Sequence, residues 1–120
     1  MSHSMINRLP AADQAVVPLE KLTAYVLNPN HPVNRTQHGG KARVFAAVGY
    51  SPDQAYQLTH DILSHLPCAE AHPIPGVWGN QWRVRIPHVR TPTGHVVTLE
   101  TRWILRDEVP YLVTAFVAPD

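Results

Sequence analysis

His31, Lys41 and a set of arginines are the side chains of this sequence best equipped for chemistry. Of all side chains, histidine has the ordinary pKa closest to neutrality, so an imidazole gives and takes protons in ester cleavage. His31 lies between Asn30 and Pro32 in the stretch "LNPNHPVNRTQHGGKARVF" (residues 27–45), and His38 stands further along it. Lys41 follows Gly39-Gly40 at the head of a predicted helix, where the helix dipole already places partial positive charge. A cation there, beside free backbone N–H groups, makes an anion site. An exposed, merely tolerated lysine is the plainer alternative, and Arg43 follows two residues on.

Arginine outnumbers lysine eight to two, and Arg83, Arg85, Arg90, Arg102 and Arg106 fall in the C-terminal third. A guanidinium grips phosphate through two parallel hydrogen bonds, whereas an ammonium acts as a point charge. Arg83, Arg85 and Arg102 suit a phosphate-binding sheet face. They equally suit a wet face on which arginines pair with Glu100, Asp107 and Glu108. Thr101 and Thr114 interrupt apolar alternation in predicted central strands; a buried hydroxyl needs a partner, although threonine is also a good strand former.

The elements that must position these groups follow from periodicity. Pro18 suits a first helical turn, Leu19, Leu22 and Val26 recur at helical spacing, and Asn28-Pro29 ends the run. A second helix is predicted over 41–48, stopped by Gly49. Ser51-Pro52-Asp53-Gln54 has the form of a capping box, and Ala55, Leu58, Ile62 and Leu66 then mark one apolar stripe. From Trp82 the period becomes two, predicting strands over 82–86, 95–106 and 111–117, with a further edge strand within 70–79. Paired residues share a face, so even-numbered residues of the first long strand oppose odd-numbered ones of the next. One such register sets Arg83 against Glu100 and Arg85 against Thr98. Helices followed by strands predict an α+β fold, two or three N-terminal helices on one face of an antiparallel sheet of about four strands. Residues 1–15 read as a flexible tail and 16–120 as one domain.

Totals narrow the field. The chain has 120 residues, one cysteine and a net charge of +1. One cysteine allows no intrachain disulfide, and no run approaches the roughly 20 apolar residues of a membrane helix. The histidines lack metal-ligand spacing, and there is no nucleophile elbow or dinucleotide fingerprint, so neither metal nor cofactor is expected. A cytoplasmic location, or export without a recognisable signal peptide, is expected.

"KLTAYVLNPNHP", "GGKARVFAAVGYS", "LETRWIL" and "YLVTAF" together resemble the motif series of a family of small uncharacterised bacterial domains. The arrangement is similar to that of the barnase, EndoU, colicin and RelE group of ribonuclease toxins. This resemblance implies a metal-independent, RNA-cleaving, toxin-like domain. In it His31 would be the acid or base, Lys41 and a strand arginine would hold phosphate, and Thr101 and Thr114 would orient it. RNA and a cognate immunity or antitoxin protein are the implied partners. The alternative is a non-catalytic module, itself immunity- or antitoxin-like, that binds another protein through the arginine face and the polar loop.

Overall fold

A computed structural model of the chain describes residues 7–35, 40–75 and 80–119. Its helices are α1 (Leu19–Lys21, running on as a wider turn over Leu22–Val26), α2 (Pro32–Arg35), α3 (Gly40–Ala47) and α4 (Ala55–His65). The strands are β1 (Ala71–Pro73), β2 (Gln81–Arg90), β3 (Val96–Arg106) and β4 (Val109–Val117), antiparallel in the order β1-β2-β3-β4. This is the expected α+β architecture.

The core lies between the helices and one face of the sheet. Leu22, Val26, Phe45, Leu58, Ile62 and Leu66 from the helical side meet Val84, Ile86, Leu99, Trp103, Leu112 and Ala115 from the strands, all buried. The apolar stripe of α4 is as its spacing predicts. Its start differs: Ser51 makes no side-chain cap bond, and a 3-10 turn over Pro52–Gln54 leads into the helix instead. α3 stops at Gly49, whose φ of +101° lets the Tyr50 N–H reach the Phe45 carbonyl at 2.9 Å.

Residues expected to form a loose tail are docked from Asn7 onward. Leu9 is buried, the Asn7 carbonyl accepts from Ala71 N–H at 2.9 Å, and Val16 pairs beside Tyr111 on the outer edge of β4. Apolar burial of Leu9 and backbone pairing at an otherwise open sheet edge together hold this segment down.

The β2–β3 parity is as predicted, with Val84 opposite Thr101 and Ile86 opposite Leu99. The register differs by two residues from the one singled out: Arg83 faces Arg102, and Arg85 faces Glu100. Parity fixes which face a residue takes, and two registers two residues apart satisfy it equally. Glu100 nevertheless reaches both arginines, Arg85 Nη1 at 3.3 Å and Arg83 Nε at 3.6 Å.

Two irregularities shape β4. The β3–β4 turn places Asp107 and Glu108 at φ +50° and +66°, as a two-residue hairpin requires. A bulge then puts Trp103 opposite Leu112 but Arg102 opposite Thr114, leaving Val113 as the extra residue. Strict alternation would place Leu112 and Thr114 on one face. The bulge keeps Leu112 in the core and sets Thr114 opposite Arg102 in the register. β4 is also an edge strand, not a central one.

Candidate functional site

The loop between α1 and α3 is organised by its asparagines. Asn34 is fully buried, and its side-chain amide donates at 2.7 Å to both the Tyr25 and Asn28 carbonyls. Each of those carbonyls also accepts a backbone N–H, from Asn28 at 3.1 Å and from His31 at 3.2 Å respectively. Asn28 in turn donates to the Ala24 carbonyl at 3.2 Å and accepts from Asn30 N–H at 2.9 Å. Much of the loop's polarity is therefore spent on holding α2 against the end of α1. Gly40 opens α3 at φ +51°, and a Cβ there would stand 3.0 Å from the Asn34 oxygen. Glycine at this point lets α3 start in contact with α2, which sets where Lys41 emerges.

Lys41 does not point along its own helix. Its ammonium donates to the Tyr25 phenol oxygen and to the Thr114 hydroxyl, both at 2.8 Å, and those two oxygens lie 3.2 Å apart. The same ammonium lies 4.9 Å from the centre of the Tyr25 ring and 5.7 Å from that of Phe116. Both rings offer cation–π stabilisation to the charge. Among the described residues no carboxylate lies within ion-pair distance of it.

Tyr25 is the centre of the cluster. The turn over Leu22–Val26 closes with Leu27 N–H on the Leu22 carbonyl at 2.8 Å, a five-residue spacing wider than an α-helix. Leu22 and Val26 stay buried while Tyr25, between them, is half-buried and faces β4. Burial works against ionisation of its phenol. The hydrogen bonds with Lys41 and Thr114 and the charges of Lys41 and Lys21 outweigh that, so its pKa falls below the ordinary 10.0.

His31 completes the group. Its ring packs against Tyr25, centroids 4.7 Å apart and planes tilted by 59°. Its Nδ1 accepts from Val33 N–H at 3.2 Å, so the neutral ring carries its proton on Nε2. In that state Nε2 is a hydrogen-bond donor, which narrows the role expected for this histidine. His31, Lys41 and Thr114 thus converge through Tyr25. His38 lies outside the described residues.

Thr101 is elsewhere and has another role. It is fully buried on the core face, where its hydroxyl donates to the Val84 carbonyl and accepts from Trp103 Nε1, both at 2.8 Å. It satisfies the one polar atom of the largest buried side chain. A helical-side position for Trp103 makes this geometry a core device, and Thr101 does not join the cluster.

The arginines divide as well. Arg83 and Arg85 are held by Glu100, whose side chain is only 7% exposed. Arg102 is exposed beside Thr114's strand and borders a small cleft with His72, Ile74 and Arg83. Arg43 is exposed on α3. Tyr25 and Phe116 were not among the sequence candidates. The helical spacing named Leu19, Leu22 and Val26 on α1 and gave Tyr25 no role.

Over residues 8–119 the chain matches the family described as Domain of unknown function (DUF6883). It belongs to that family. The expectation of an uncharacterised domain family is met in this form. No curated protein matches the chain, and no solved structure does. The family match spans α1 to β4 and so includes every member of the Tyr25 cluster.

Proposed function

We propose that this domain cleaves RNA without a metal ion, and that the Tyr25, Lys41, Thr114 and His31 cluster is its reaction centre. One observation carries the reading: the Lys41 ammonium is fixed between two hydroxyls, with no carboxylate among the described residues to neutralise it. A fixed ammonium with no carboxylate partner among the described residues matches the charge that develops on a phosphodiester under attack, and the phenol of lowered pKa beside it is the group that takes a proton.

In this mechanism the ionised Tyr25 oxygen takes the proton of a ribose 2′-hydroxyl, whose oxygen attacks the adjacent phosphorus. The 2′-oxygen–phosphorus bond forms, and the bond from phosphorus to the 5′-oxygen breaks. Lys41 offsets the charge on the phosphoryl oxygens and gives a proton to the departing 5′-oxygen. The new Tyr25 O–H, 2.8 Å from Lys41 Nζ, returns its proton to the amine and restores the starting pair. Thr114 orients the ammonium, and His31 Nε2–H donates to a phosphoryl oxygen. The products are a 2′,3′-cyclic phosphate and a free 5′-hydroxyl.

The test is an oligonucleotide of deoxyribonucleotides with a single ribonucleotide, incubated with the domain in a chelator. Scission on the 3′ side of that ribonucleotide, with a cyclic phosphate terminus, is expected. An intact strand contradicts the reading.

A second reading, a non-catalytic protein-binding module, draws on the shallow groove of about 320 Å³ between α3 and β4. Lys41, Val44, Phe116 and Val117 line it, and Val44 is 45% exposed. On that reading the domain expresses harmlessly and is recovered with a defined companion protein, and Lys41→Ala weakens the capture. On the ribonuclease reading, expression without a partner arrests growth, and Lys41→Ala relieves the arrest.

A further inference from the structure

A cleft of about 600 Å³ opens beside Tyr25, between α1 and the sheet. Lys21, Tyr25, Gln81, Ile104, Arg106 and Tyr111 are among its lining. Its volume is within the range of small-molecule sites. Ile104 offers an apolar wall. The Gln81 side-chain amide, half-exposed, makes no hydrogen bond among the described residues and holds both a donor and an acceptor. The Arg106 guanidinium stands 5.4 Å from the centre of the Tyr111 ring, so a planar cation and an aromatic ring line the cleft together. Lys21 and Arg106 face one carboxylate, Glu20, in this cleft, and neither is within ion-pair distance of any carboxylate among the described residues.

An apolar wall, an arginine–tyrosine pair, a free amide and two cations are the parts needed to hold one nucleotide. The base stacks on the arginine–tyrosine pair, the amide meets its edge, and the phosphate meets the cations. Tyr25 lines the cleft and also belongs to the Lys41 cluster, so a nucleotide here adjoins the reaction centre.

We infer that this cleft is the subsite for an unpaired nucleotide of a single-stranded RNA, flanking the bond to be cut. The inference rests on the ribonuclease reading for its biological meaning, but its test is direct binding. Adenosine and uridine 3′-monophosphate are titrated into the intact domain while the Gln81 side-chain amide signal is followed by NMR, with inorganic phosphate as a control. The mononucleotides shift the Gln81 signal saturably and phosphate alone does not. Arg106→Ala, an exposed position, and Gln81→Ala each weaken mononucleotide binding about tenfold or more. Binding unchanged by Arg106→Ala, or no shift at Gln81, overturns the inference. If mononucleotides bind here and RNA is not cut, the cleavage reading fails and the subsite stands. If RNA is cut and the Gln81 signal never moves, the subsite fails and the cleavage reading stands.

Discussion

The ammonium of Lys41 lies 2.8 Å from the phenol oxygen of Tyr25, joining a helix head to a residue sixteen positions earlier. This contact makes the ionised phenol more favourable in the folded chain than in the unfolded one. A lowered folded pKa adds stability that is fully present above the unfolded value near 10.0 and is lost as pH falls through the folded one. Compared with Tyr25→Phe, the parent chain therefore gains stability as pH rises through that window. Urea unfolding at a series of alkaline pH values measures the difference.

Tyr50 behaves in the opposite sense. Its fully buried ring and its hydrogen bond to Asp61 push its pKa up, burial first and the neighbouring carboxylate second. A raised value supports the fold below the unfolded pKa, and that support is lost as pH climbs beyond it. In an ultraviolet titration of the four tyrosines, one phenol ionises early and one late. Tyr25→Phe removes the early component and leaves the late one.

Thr101 is expected to matter for stability. Thr101→Val leaves Trp103 Nε1 without its partner in the core, at a cost of about 1–3 kcal/mol. Thr101→Ser keeps the hydroxyl and recovers most of that. Denaturant midpoints with unchanged slopes check both, and mononucleotide binding is unaffected by Thr101→Ser.

Glu100 is buried between two arginines that are each about half exposed. Arg83→Ala or Arg85→Ala alone costs under about 1 kcal/mol, because the other guanidinium remains. The double variant strands a buried carboxylate and loses more than the sum of the two. A double-mutant cycle from chemical denaturation measures the excess.

Much of the scaffold was legible in the sequence. The change from helical to two-residue periodicity at Trp82 reports the passage from helices to sheet, and the even–odd rule places Val84 and Thr101 together. The site was legible only in part. His31, Lys41 and Thr114 stood out as polar groups that the α1–α2 connection, α3 and β4 bring together. Their meeting point, Tyr25, did not, because an aromatic residue at helical spacing looks like core until the wider turn that presents it is seen. The bulge at Val113 is a single added residue, and strict alternation does not foresee it. Thr101 and Thr114 are alike as hydroxyls in apolar strands. Only the hydrogen-bond partners, Trp103's indole for one and Lys41's ammonium for the other, separate a structural threonine from one at the site.

The most direct test is the cleavage rate of single-stranded RNA by the purified domain in chelator, compared with Tyr25→Phe and Lys41→Met variants of unchanged melting temperature. The account predicts that the parent leaves 2′,3′-cyclic phosphate ends and that each variant is slower by about a hundredfold or more. An inert parent, or variants that cut as fast as the parent, would contradict it.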